Sequence, residues 1–224
     1  MTYTEEDPEG EISKVEVTSI PAENFFPMEA AGKIAQTLSP MHMYFIALVL
    51  PPMLNDKVLS LKNFMAERYG CRVALKSPAH ITLVPPFWMA EEKDADLRSA
   101  IDRLSASMSS FDINTEDFSS FPPKTIFIRL SENMQLSALK STSDVFFRSQ
   151  PAFGISPEAR PFHPHITIAT RDLYKKDFHE AWPLFRQKVF RESWQAEGIS
   201  LLKHNKKNWD VVYTSQCKNN KTMS

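Results

Sequence analysis

One short string occurs twice in this chain, His80-Ile81-Thr82-Leu83 and His165-Ile166-Thr167-Ile168, each time in the same surroundings. The apolar run Met43–Leu50, closed by Pro51 and Pro52, fits a buried strand, and Lys124–Leu130 is its counterpart in the second half. Val58, Leu61, Met65 and Tyr69 then recur at helical spacing up to Gly70, and a helix-like stretch over about 132–149 takes that place later. After each motif comes an amphipathic helix pattern, Leu97, Ala100, Ile101, Leu104 and Met108 first, then Phe178, Trp182, Phe185 and Val189. Further strands are expected at Cys71–Lys76, around Phe111–Phe121, near Ile199–Lys203 and near Trp209–Thr214. Phe45 maps to Phe127 at an offset of 82, and His80 to His165 at an offset of 85. A near-constant offset marks an internal duplication. Two copies are too few for a solenoid, so the expectation is two lobes, about 41–121 and 122–224, with a site between them.

On a strand, residues two apart project from the same face. His80 therefore stands beside Thr82 and His165 beside Thr167, while Ile81, Leu83, Ile166 and Ile168 point into a core. Each copy offers an imidazole and a hydroxyl on rigid backbone. Histidine exchanges protons near neutral pH, so one copy can act as base and the other as acid. Threonine hydroxyls can donate to non-bridging phosphate oxygens as negative charge develops there. Such a pair suits in-line displacement at a phosphodiester: one imidazole deprotonates the incoming water or hydroxyl, and the other protonates the leaving oxygen. A cyclic phosphodiester on ribose is the expected substrate, because its strained ring holds a vicinal oxygen ready to leave.

Composition narrows the alternatives. The five glycines lie more than ten residues apart, which removes the glycine clusters of a dinucleotide fingerprint or a P-loop. Cys71 and Cys217 are too few for a disulfide framework or a cysteine zinc site, and read as free thiols of a reducing compartment. The first residues are acidic where a secretory signal is basic and then apolar, and the longest apolar run is too short to span a bilayer. A cytoplasmic location is the expectation. Residues 1–30 carry eight acidic side chains against Lys14, which leaves 25 basic and 19 acidic side chains for the remainder. Residues 1–40 read as a partly ordered acidic arm, most simply a solubilising tail. Residues 41–224 read as a single, mildly basic domain of a kind that meets an anionic ligand.

The paired His-Ile-Thr-aliphatic strings, the Met43–Pro51 strand and the approach Phe162-His163-Pro164-His165-Ile166-Thr167 resemble the 2H phosphoesterase superfamily, in its 2′-5′ RNA ligase-like, cyclic phosphodiesterase branch. The resemblance covers roughly residues 43–214. It implies an α+β fold that is bilobal, with two duplicated α/β repeats whose antiparallel sheets face a central cleft. It also implies metal-independent activity on 2′,3′-cyclic phosphates of RNA or nucleotides, with reverse 2′-5′ ligation in some members. Transferred residue by residue, His80 and His165 are the catalytic pair, and Thr82 and Thr167 bind phosphate. The chain departs from the pattern in three places. Met43 stands where many members have arginine. Thr170 stands where a basic residue is common, with Arg171 one step later, and Pro85-Pro86-Phe87 replaces the more usual Phe-Leu-Gly. These differences bear on the substrate rather than on the chemistry.

Lys76 and Arg171 lie close to the motifs and are candidates for phosphate contact, or equally solvated surface charges. Phe87 is a candidate for stacking a nucleobase, as is Trp88, with core packing the simpler role for both. His163-x-His165 is half of a metal site at most, and no cluster of matching spacing completes it. No metal and no cofactor are expected. His42, His179 and His204 have no partner pattern and read as structural or surface residues. The expected partner is an RNA terminus or a small cyclic nucleotide, bound by a monomer without a membrane or an obligate protein partner. Hydrolysis is the expected reaction. The alternatives are 2′-5′ ligation by the same residues, and a binding module that kept the fold and lost turnover.

Overall fold

The apolar run becomes strand β1 (Met41–Val49) of a computed structural model that describes residues 39–217, except 157 and 159. The acidic arm therefore lies outside the described residues, apart from positions 39 and 40. Along β1 the pleat sorts side chains to two faces: Tyr44, Ile46 and Leu48 enter the main core, and Phe45, Ala47 and Val49 face the other way. Helix α1 (Pro52–Tyr69) begins at a proline, whose missing N–H has no partner to lose in the first turn. It ends at Gly70, whose φ of 72° is the left-handed conformation that glycine adopts without strain. The segment Cys71–Lys76 is not a strand. Its residues Val73–Lys76 form a 3-10 turn, because the Arg72 and Val73 N–H groups are taken by the Asp172 carboxylate, at 2.6 and 2.9 Å, and find no neighbouring strand.

Strand β2 (His80–Ala90) runs on through Pro85 and Pro86 to Ala90. It is an edge strand, where a missing N–H breaks no ladder on the outer side. Helix α2 (Asp94–Ser105) and strand β3 (Phe111–Phe121) complete the first half. The second half supplies β4 (Thr125–Leu130), α3 (Met134–Arg148), β5 (His165–Ala169) and α4 (Lys175–Phe185). Strands β6 (Ser193–Ala196), β7 (Gly198–His204) and β8 (Trp209–Gln216) follow. Helix α4 stops short of Val189, which is exposed. Strand β6 is not among the strands expected from the sequence, although Ser193–Ala196 alternates exposed polar and buried apolar residues. At Gly198 the β7–β8 ladder comes so close that a Cβ would lie 2.5 Å from the Ser215 carbonyl oxygen, which leaves room for glycine alone.

Two four-stranded antiparallel sheets result, in the orders β2-β1-β7-β8 and β5-β4-β3-β6. The two orders correspond strand for strand, with each motif on an edge strand and the apolar β1 or β4 beside it. The sheets are not the two halves of the chain. β3 crosses into the sheet of β4, while β7 and β8 return to the sheet of β1, so a division near residue 121 does not separate the sheets. Helices cross as well: α1, which follows β1, packs on β5, and α3, which follows β4, packs on β2. Exchange in both directions explains why one continuous core contains Ile46 and Ile81 together with Ile128 and Ile166. No helix among the described residues is long and apolar enough to cross a membrane.

Candidate active site

His80 opens β2 directly across the ladder from Val49, and Thr82 lies across from Ala47. Both motif residues therefore share the sheet face of Phe45, Ala47 and Val49, away from the main core. The Phe45 ring lies 4.8 Å from the His80 ring, and the Trp209 ring packs edge-on against Phe45 at 4.7 Å. His80 Nδ1–H donates to the Pro78 carbonyl at 2.7 Å. A carbonyl can only accept, so the proton of the neutral ring sits on Nδ1 and the Nε2 lone pair is left for chemistry. Burial lowers the pKa of His80 to about 4, against the opposing pull of the Pro78 bond, and the charges of Lys62 and His165 lower it further. The influence of His165 on His80 means that the two imidazoles lie within electrostatic reach of each other.

The second motif repeats this construction. His165 lies across from Arg129, and Thr167 across from Phe127. The Phe127 ring lies 4.9 Å from the His165 ring, with Phe121 at 5.5 Å. His165 Nδ1–H donates to the His163 carbonyl at 2.7 Å, which again leaves Nε2 as the reactive nitrogen. Burial lowers the pKa of His165 too, with the His163 charge adding to it. Phe45 and Phe127 thus both pack on their histidines. The ladder, however, sets Ala47 rather than Phe45 opposite the threonine, whereas Phe127 itself lies opposite Thr167.

Two basic residues that sequence reasoning passed over stand at the site. Lys62 occupies the buried stripe of α1 with Leu54, Val58, Met65 and Ala66, and is only 3% exposed. Its Nζ donates to the Ser77 carbonyl at 3.0 Å, one residue before the carbonyl that holds His80. No carboxylate pairs with it among the described residues, and burial lowers its pKa to about 8. The legible signal was a lysine four residues after Val58 and three before Met65, inside an apolar stripe. Arg129 shares the face of Phe127 and His165 and is steadied by Glu116, whose backbone carbonyl accepts from its Nε at 3.2 Å. Its signal was the alternation of β4, which puts Phe127 and Arg129 on one side and the isoleucines on the other.

The remaining candidates separate clearly. Lys76 and Arg171 are exposed, and no hydrogen bond or ion pair joins either side chain to another described residue. Phe87 points into the core and stacks on Tyr44 at 6.1 Å, because the pleat that exposes Trp88 buries its neighbour. It is a packing residue rather than a platform for a base. His163 is exposed and packs edge-on against Phe121 at 5.0 Å. Among the described residues no group of three or more His, Cys, Asp or Glu is arranged to hold a metal ion.

A family model described as the 2′-5′ RNA ligase superfamily matches residues 50–208, well over half of the chain. This chain belongs to the 2′-5′ RNA ligase superfamily, the 2H phosphoesterases. A curated member from Bacillus pumilus, named "Putative phosphoesterase", is 28% identical over 119 residues, which span 52% of this chain and 66% of that protein. TT0787 of Thermus thermophilus superposes with a TM-score of 0.56 at 19% identity, over 80% of this chain and 99% of the other. E. coli LigT complexed with 3′-AMP superposes with a TM-score of 0.57 at 17% identity over the same shares. At such identities the likeness is one of fold, and the two four-stranded antiparallel sheets are the two-lobed arrangement of this 2′-5′ RNA ligase superfamily.

Proposed function

We propose that the chain is a metal-independent cyclic phosphodiesterase that opens 2′,3′-cyclic phosphates at RNA ends or on small nucleotides. One observation carries this reading. Each motif holds its imidazole by an Nδ1–H bond of 2.7 Å to the carbonyl two residues back, which leaves two Nε2 atoms free, each beside a threonine hydroxyl. A binding module has no use for two imidazoles held in the same reactive tautomer. The complex of E. coli LigT with 3′-AMP, a nucleotide with a phosphate on the ribose 3′ oxygen, supports a ligand of that chemistry.

In this mechanism His80 is the base, since its pKa of about 4 keeps Nε2 unprotonated over the working range. It takes the proton of a water that attacks phosphorus in line with the leaving ribose oxygen. His165, in its protonated form, delivers a proton from Nε2 to that oxygen as the P–O bond breaks. The product is a phosphomonoester with the neighbouring hydroxyl restored. Thr82 and Thr167 donate to the non-bridging oxygens, where charge builds in the transition state. Arg129, across the ladder from His165, supplies positive charge for the same oxygens. The bound phosphodiester anion raises the pKa of both imidazoles and so favours the protonated acid in the complex.

The test is hydrolysis of the four nucleoside 2′,3′-cyclic monophosphates, and of an RNA oligonucleotide ending in the same group, in EDTA. Wild type is expected to turn them over, and the His80→Ala and His165→Ala proteins to lose most of that turnover. The released isomer, 2′- or 3′-phosphate, identifies the leaving oxygen. Absence of turnover on all of these substrates overturns the reading.

A further inference from the structure

Trp88 is 58% exposed, and its surroundings single it out from the other large apolar side chains at the surface. In the ladder it lies across from Met43, which shares its face of β1 with Phe45, Ala47 and Val49. Two bulged residues between Thr82 and Trp88 restore the alternation, so His80, Thr82 and Trp88 share one face of β2. The indole is therefore part of the same surface as the candidate acid–base machinery. Beside it a cavity of about 410 Å³ opens between Pro85, Pro86 and Trp88 on one wall and Gly154, Ile155 and Glu158 on the other. That size falls in the range of sites for small organic groups.

The chemistry of this groove selects among occupants. An exposed indole face accepts any nucleobase by stacking. The Glu158 carboxylate is ionised, because its hydrogen bonds with Arg160 lower its pKa to about 2. Its bidentate pairing with Arg160 leaves no net charge there to draw a phosphate, while the remaining lone pairs of the carboxylate accept hydrogen bonds from the exocyclic amine of a base. The spacing adds a further constraint. Four residues of β1 separate the partners of Thr82 and Trp88, about 13 Å along the strand. The base attached to the reacting ribose does not reach that far, whereas a base further along the same strand does.

We propose that Trp88 and the adjoining groove form a subsite for a nucleobase upstream of the terminal phosphodiester, so that the preferred substrate is the end of an RNA strand rather than a free mononucleotide. The proposal rests on the reading of the two His-x-Thr strands as a phosphodiester site. It predicts that chain length adds affinity and that one indole accounts for the gain.

The experiment measures the affinities of a 3′-phosphorylated RNA tetranucleotide and of a nucleoside 3′-monophosphate for wild type, Trp88→Ala and Trp88→Phe, without need of turnover. The tetranucleotide is expected to bind wild type ~10- to 100-fold more tightly, the worth of one stacked base. Trp88→Ala should lose that advantage and leave the monophosphate unaffected, while Trp88→Phe retains most of it. Equal affinity for the two ligands, or an equal loss for both in Trp88→Ala, overturns the subsite. Hydrolysis of the cyclic-phosphate forms keeps the two proposals separate. Turnover that is indifferent to chain length and to Trp88 removes the subsite and leaves the enzyme. Length-dependent binding without turnover leaves the subsite and removes the proposed reaction.

Discussion

In the first lobe the imidazole of His80 leans on Phe45 and has a buried lysine behind its loop. In the second, His165 leans on Phe127 and has an exposed histidine behind its loop and an arginine across the ladder. The backbone construction is the same in both: an edge strand, a ring contact just under 5 Å, and an Nδ1–H bond to the second carbonyl back. The electrostatic setting differs. A cation buried behind His80 resists a second positive charge, whereas Arg129 is exposed and paired with the Glu116 carboxylate at 3.6 Å. The two frames match, and the charges around them differ.

Removing either imidazole is the strongest way to challenge that comparison. His80→Ala and His165→Ala should each reduce turnover of a 2′,3′-cyclic nucleotide by about 10²–10⁴-fold, and full activity in either variant breaks the two-histidine mechanism. Thr82→Ala and Thr167→Ala should cost less, about 10–10³-fold in kcat, as expected for one lost donor to a charged transition state. A loss confined to KM in both would remove the threonines from the transition state.

Acidity sharpens the assignment of roles. Both pKa values lie below the ordinary 6.5 in the free protein, His80 at about 4. A base loses function as pH falls through its pKa, and an acid as pH rises through its own. The profile of kcat/KM should therefore be a bell with its acid limb near pH 4 and its alkaline limb below 6.5. The kcat profile should lie to the alkaline side of it, since the bound anion raises both values. A flat profile from pH 5 to 9 argues against an imidazole pair.

Lys62→Met tests the asymmetry itself. Loss of the buried charge should raise the pKa of His80, read by NMR titration of its ring, and leave that of His165 nearly fixed. The same variant should be more stable at pH 7 by about 1–3 kcal/mol in denaturant melts, because an unpaired buried ammonium is costly. The sign follows from the depressed lysine pKa: between about 8 and 10.5 the unfolded chain holds the proton more firmly. Wild-type stability should therefore rise through that window, and the variant's should not. An unchanged His80 titration separates Lys62 from the site. The smallest expected effect is that of EDTA, which should leave the rate unaltered; strong inhibition would bring metal chemistry back into consideration.

Much of the fold was legible because its signals are local. The helical stripes of α2 and α4, the apolar run of β1 and the two-residue spacing of His80 with Thr82 all depend on neighbours in sequence. Cys71–Lys76 misled for the opposite reason: its amides are held by Asp172, about a hundred residues away. Phe87 and Trp88 carry the same stacking chemistry, and the pairing of β2 with β1, which sets Phe87 beside the buried Tyr44 and Trp88 beside Met43, decides which is buried and which is free. Lys62 escaped notice because a lysine in an apolar stripe reads as a helix-surface charge until its burial is known.

The sequence by itself determined that two similar units exist, that each carries an imidazole beside a hydroxyl on a strand, and which faces of those strands are apolar. These follow from period, spacing and repetition, which are properties of the chain before it folds. Tertiary structure alone decided that β3 joins the sheet of β4 and β7 that of β1, that α1 packs on β5 and α3 on β2, that Arg129 stands opposite His165, and that Lys62 lies buried near His80. Those outcomes depend on pairings between distant segments. Many registers satisfy the same local pattern, and only the packing of the whole chain selects one of them.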